Sequence, residues 1–267
     1  MTPDMILRWR KMVTGGVIRY SGLHTTSEMT LDGEKYTLYT LISSGLLEVK
    51  GYENVRYWMC GGGSAGNSVT SGVESEEWSY IASGAGGGGG YVYSTTLPDG
   101  KYTVTIGSGG TNHNTGGGTT QIVKAVTAEV IGKAAGGQGA NGGSGGGSFY
   151  RVYDGTSGGA FSGYGKGAGV KTAPFGITSL KYHSAGGGGG YYKNWGTPGD
   201  GGSNGSDGKS GYMDGKGGDY GGGSTSRTTG VNTSATFYGG GGAGAALGGA
   251  ALGKGYQGVA YVLVPAA

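Results

Sequence analysis

Short runs of β-branched and aromatic residues mark the first half of the chain, and no segment carries the three- and four-residue apolar spacing of an amphipathic helix. These runs predict strands at residues 17–20, 36–42, 46–50, 55–60, 91–96 and 101–106, with two more at 119–124 and 126–131. In Lys101-Tyr102-Thr103-Val104-Thr105-Ile106 the apolar Tyr102, Val104 and Ile106 share one face and Lys101, Thr103 and Thr105 the other, as in a half-buried strand. Leu97-Pro98-Asp99-Gly100 reads as the turn joining this strand to 91–96, because Pro presets φ and Gly admits positive φ. The run Gly258-Val259-Ala260-Tyr261-Val262-Leu263-Val264 is apolar on both faces, which predicts a strand in the middle of a sheet. Its partners must come from much earlier in the chain, so 134–255 reads as a long insertion that returns to an all-β sandwich.

Composition changes this picture in one respect: 70 of the 267 residues are glycine. Only 5 are proline, which argues against a collagen triple helix, since that helix needs imino acids to hold its chains extended. Lys+Arg 19 against Asp+Glu 16 leaves a thin charge of +3 with no like-charge run, and hence no electrostatic track for nucleic acid. Cys60 is the single cysteine, so no internal disulfide forms and folding in a reducing cytoplasm is compatible. The opening Met1-Thr2-Pro3-Asp4-Met5-Ile6-Leu7-Arg8-Trp9-Arg10-Lys11 lacks the apolar stretch of a signal peptide, and no later segment could span a bilayer as a helix. The expected organisation is an N-terminal lead at 1–30, sandwich strands at 31–133, a glycine-rich region at 134–255 and a closing strand at 256–267.

The glycines have a period. Gly199, Gly202, Gly205, Gly208 and Gly211 fall every third residue, Gly215, Gly218 and Gly221 resume the spacing, and Gly136, Gly139, Gly142 and Gly145 show it earlier. Three residues per turn is the repeat of a polyproline II-like helix. When such helices pack side by side, the residue facing a neighbour must lack a Cβ for backbone N–H···O bonds to form between them. The expected fold is therefore a sandwich whose insertion forms polyglycine II helices. In the 199–211 stretch the intervening positions are polar: Asp200, Ser203, Asn204, Ser206, Asp207, Lys209 and Ser210.

The order of pieces resembles the glycine-rich domain of bacteriophage tail proteins and is similar, more distantly, to the polyglycine-helix adhesins of tail fibres. Glu34-Lys35-Tyr36-Thr37-Leu38-Tyr39-Thr40, Ser43-Ser44-Gly45 and Leu46-Leu47-Glu48-Val49 look like the opening hairpin of that family, followed by Val55-Arg56-Tyr57-Trp58-Met59-Cys60-Gly61-Gly62-Gly63. Gly86 to Gly90 with Tyr91, then Tyr102-Thr103-Val104-Thr105-Ile106-Gly107-Ser108-Gly109-Gly110, and the closing Gly255-Tyr256-Gln257-Gly258-Val259-Ala260-Tyr261-Val262 complete the match, over roughly residues 15–264. The resemblance implies a jelly-roll-like sandwich bearing polyglycine helices. It also implies a virion protein at the host-contacting end of a tail, assembled in the host cytoplasm, with other tail proteins and a host-surface glycan or outer-surface protein as partners. It supplies no catalytic residues, no cofactor and no metal. Whether the chain caps a trimeric fibre or forms a homotrimer itself stays open, as does a purely architectural role in tail tip, baseplate or head decoration.

Candidate chemistry is sparse. His24, His113 and His183 are scattered, without neighbours at metal-ligand spacing. Glu74-Ser75-Glu76-Glu77 reads as a solvated loop, and Gly61-Gly62-Gly63-Ser64-Ala65-Gly66 lacks the Gly-Lys-Ser/Thr ending of a phosphate loop. Aromatics set in glycine are more informative. Tyr191, Tyr192, Lys193, Asn194 and Trp195 follow one glycine run and Tyr150, Arg151 and Tyr153 another, and rings with amide and basic neighbours suit sugars or protein surfaces. These are the expected receptor-binding residues, although the same rings could instead cover the glycine lattice. Met5, Leu7 and Trp9 in the lead suit docking to a neighbouring virion subunit, and equally suit a cap on this domain.

Overall fold

The computed structural model describes residues 16–66, 91–94, 97–112, 115–138, 173–180, 183, 234–242 and 253–266. Its regular elements are ten strands and two single 3-10 turns: β1 Val17–Tyr20, β2 His24–Leu31, β3 Glu34–Leu41, β4 Gly45–Lys50, β5 Arg56–Cys60, β6 Tyr91–Ser94, β7 Gly100–Thr105, β8 Thr120–Lys124, β9 Val130–Ala134, the turns Pro174–Gly176 and Thr178–Leu180, and β10 Val259–Pro265. They form two five-stranded antiparallel sheets, ordered β1-β4-β7-β8-β9 and β2-β3-β10-β5-β6. Among the described residues the protein is all-β.

The sheets face one another across a single apolar layer. Leu47, Val49, Tyr102, Val104 and Ile122 from the first sheet meet Leu41, Tyr57, Met59, Ala260, Val262 and Val264 from the second. The alternation seen in 101–106 holds: Tyr102 and Val104 are buried while Lys101 and Thr103 are exposed. The closing strand is central, pairing with β3 on one side and β5 on the other, and both its faces are apolar because each is covered. Its outward residues Val259, Tyr261 and Leu263 join Tyr36, Leu38, Trp58 and Cys60 in a second buried layer on the outside of that sheet. Phe175 and Leu180 of the 3-10 turns and Tyr238 pack against this layer.

Three expectations change. The opening hairpin is not β3 with β4, which lie in different sheets; it is β2 with β3, joined by Asp32-Gly33. Both turn residues have positive φ, 53° and 83°, as a type I′ turn requires, and its twist matches that of the strands. β2 is not among the expected strands, because its sequence His24-Thr-Thr-Ser-Glu-Met-Thr-Leu31 is exposed along most of its length and alternates apolar with polar only at Met29 and Leu31. The strand expected at 126–131 begins later, at Val130, since residues 125–127 turn the chain and Ala128 takes a positive φ of 56°. The sheets thus begin at Val17, inside the stretch expected to be a lead.

The turn at 97–100 connects the sheets rather than closing a hairpin: β6 pairs with β5, and β7 with β4 and β8. It is held by the Leu97 amide donating to the Val55 carbonyl at 2.8 Å, by the Tyr102 hydroxyl donating to the Pro98 carbonyl at 2.6 Å, and by the Gly51 amide donating to the Asp99 carboxylate at 2.9 Å.

Candidate functional site: a glycine contact bundle

Where β5, β7 and β9 end, the chain leaves the sheets as glycine-rich segments with neither strand nor helix, and where β8 and β10 begin it arrives in the same form. The segments are 61–66, 107–110, 115–118, 135–137, 239–242 and 253–258, and they bond to one another through the backbone. Gly62 donates to Gly118, Gly63 to Tyr256, Ala65 to Thr115 and Gly66 to Gly253, all at 2.8–3.0 Å. Gly110 and Gly137 donate back to the carbonyls of Gly63 and Gly62, and Gly242 to that of Ser64. Residues 61–66 therefore lie in the centre, bonded to all five other segments. A buried backbone without sheet or helix must find such partners, or leave its polar groups unsatisfied.

Glycine is required by distance. An ideal Cβ at Gly63 would stand 1.9 Å from the Gly240 carbonyl oxygen, at Gly62 2.0 Å from that of Ser108, at Gly117 1.9 Å from that of Gly62, and at Gly255 2.0 Å from that of Gly63. These contacts come from segments on both sides of residue 134. The family-like runs after β5 and β7 were legible as glycine following a strand; that they share one bundle with 239–242 was not.

The register also orients the bundle. As 61–66 runs away from β5, its partners run from Gly118 back to Thr115 and from Tyr256 back to Gly253. Gly66, Thr115, Gly242 and Gly253 consequently stand at the end remote from the sheets. The connections that follow residues 66 and 242 start from that end.

An aromatic box braces the base. His183 is fully buried, with Nε2 2.9 Å from the Tyr261 hydroxyl and its ring centre 4.8 Å from Trp58 and 5.1 Å from Phe237. Tyr238 stacks on His183 and meets Tyr256 edge-on at 5.7 Å, so the bundle segments 234–242 and 253–258 are tied to the outer face of β5 and β10. Burial pushes the Tyr261 and Tyr238 hydroxyls up from the usual phenol range. His183 is thus placed as a packed core group, one that sequence spacing could not relate to Trp58.

The expected receptor-binding residues Tyr150, Arg151, Tyr153, Tyr191, Tyr192, Lys193, Asn194 and Trp195, and the expected docking residues Met5, Leu7 and Trp9, lie outside the described residues. So do the periodic glycines from 199 to 221. Among the described residues no three His, Cys, Asp or Glu side chains gather as metal ligands, and Cys60 is buried. No helix there is long and apolar enough to cross a membrane. No protein-family model matches the chain, and no curated protein matches it either.

Proposed function

We propose that this chain is a non-enzymatic bacteriophage tail protein, a tail-tip or tail-fibre adhesin that binds the host surface. In this reading the sandwich is jelly-roll-like and anchors the protein. The glycine segments are polyglycine II helices forming a stiff scaffold, and the connections between them carry the recognition side chains. The observation that carries it is the bundle's register: Gly66 bonds to Gly253 and Ala65 to Thr115 at the end away from the sheets. Backbone contact through absent side chains suits rigid display and offers no acid, base or nucleophile for turnover. The resemblance to phage glycine-rich domains supplies the biological setting.

Adsorption tests the reading. The purified protein should bind host cells and compete with phage for them, and antibodies raised against the segment holding Tyr191, Tyr192, Lys193, Asn194 and Trp195 should block infection. Failure of both, with the protein nevertheless located on virions, would replace the adhesin with a purely architectural subunit.

A further inference from the structure

Four strands edge the two sheets, and three of them are poor templates for another chain. β1 and β6 have four residues each, and β9 has five, carries Lys133 and is broken by a register shift against β8. Such shortness, charge and bulging are the usual protections of a sheet edge. β2 is neither short nor bulged, and its one charged side chain is Glu28. It pairs with β3 over eight consecutive residues without a shift, contains neither proline nor lysine, and no described strand lies beyond it.

The turn decides which backbone groups of β2 are free. Leu31 and Glu34 face each other directly across the two-residue turn, so they form a hydrogen-bonded pair, and alternate residues back along β2 bond to β3. The same phase reaches Leu23, whose carbonyl accepts the Ile42 amide at 2.9 Å. His24, Thr26, Glu28 and Thr30 therefore turn their N–H and C=O groups toward the open edge.

The geometry points to a second copy of this chain as the occupant, its own β2 adding antiparallel to this one about a two-fold axis at Ser27. Only registers that oppose outward residue to outward residue complete the ladder. Centring on Ser27 sets Glu28 against Thr26 of the other copy and His24 against Thr30, whereas centring on Glu28 would place two carboxylates face to face. It also sets Leu23 of each copy against Leu31 of the other on the same face. Leu23 is 72% exposed in the single chain, and this pairing covers it. Between them, Thr25 meets Met29 and Ser27 meets Ser27, in the close, non-hydrogen-bonded positions. The β2-β3-β10-β5-β6 sheets of the two copies become one.

Sedimentation of the full chain tests this together with two kinds of variant. The wild type should be dimeric. Glu28→Pro removes an outward amide and no bond to β3, so it should give a monomer with unchanged circular dichroism. Ser27→Cys should form a covalent dimer on oxidation, since Cα atoms at such a pair stand within disulfide reach. Thr25→Cys should not, because its own mate lies four residues along the strand, about 13 Å away. A monomeric or trimeric wild type, a dimer that survives Glu28→Pro, or equal crosslinking of the two cysteine variants would overturn the proposal. Should Glu28→Pro fail to fold, the two cysteine variants decide the matter alone.

Discussion

The carbonyl oxygen of Gly240 occupies the space that any side chain on Gly63 would need, 1.9 Å from the ideal Cβ position. Two residues far apart in sequence are thus locked by an absence. Gly63 also donates its amide to Tyr256 and accepts from Gly110, so it cannot retreat without breaking bonds on two other segments.

Gly63→Ala should therefore destabilise the protein by roughly 3 kcal/mol or more, the upper range for forced overpacking. Gly116→Ala, whose Cβ would meet a single backbone oxygen at 2.9 Å, should cost only about 1 kcal/mol. Urea denaturation of the two variants checks the contrast. Equal losses would mean that the closeness of backbone contact at Gly63 does not set the cost.

Tyr261→Phe removes the hydroxyl 2.9 Å from His183 Nε2 and leaves the rings in place. The expected loss is about 1–3 kcal/mol, the range for disrupting a buried hydrogen-bonded pair. Because Trp58 packs on both residues, its fluorescence should shift in the variant before unfolding begins.

Stability should fall at alkaline pH through the tyrosines. Burial pushes Tyr20 up to about 12 and raises Tyr36, Tyr39, Tyr102, Tyr238 and Tyr261 in the same direction. A phenol raised on folding stabilises the protein fully below its unfolded value near 10, and that contribution is lost as pH climbs through the folded value. Thermal melts between pH 9 and 12 should show this decline, weaker for Tyr20→Phe.

Gly33 at φ 83° has open space around its missing Cβ, so Gly33→Ala meets backbone strain and no clash. The expected cost is about 1–2 kcal/mol, with the β2–β3 register unchanged, as amide exchange across the hairpin would report.

How much of this was legible follows from where side chains matter. In β7, Tyr102 and Val104 alternate with Lys101 and Thr103 because one face is buried, and that period of two is written in the residues. β2 left little such trace, since only Met29 and Leu31 at its end pack against the outer layer and the rest of the strand is exposed; the Asp32-Gly33 pair was its clearest signal. Pairing partners were illegible for a similar reason. Leu38 and Leu47 are both apolar and both buried, and nothing local says that their strands belong to different sheets.

By itself the sequence determined that the protein is built from strands, that residues 259–264 are buried on both faces, and that glycine runs follow the strands ending near Cys60 and Ile106. Those are local consequences of burial and of missing Cβ atoms. The tertiary structure alone decided that Gly62 meets Gly118 and Ser108, that Gly63 meets Gly240 and Tyr256, and that His183 closes on Trp58. Glycines are chemically identical, so which one contacts which is set by the sheets that deliver their segments to the same place.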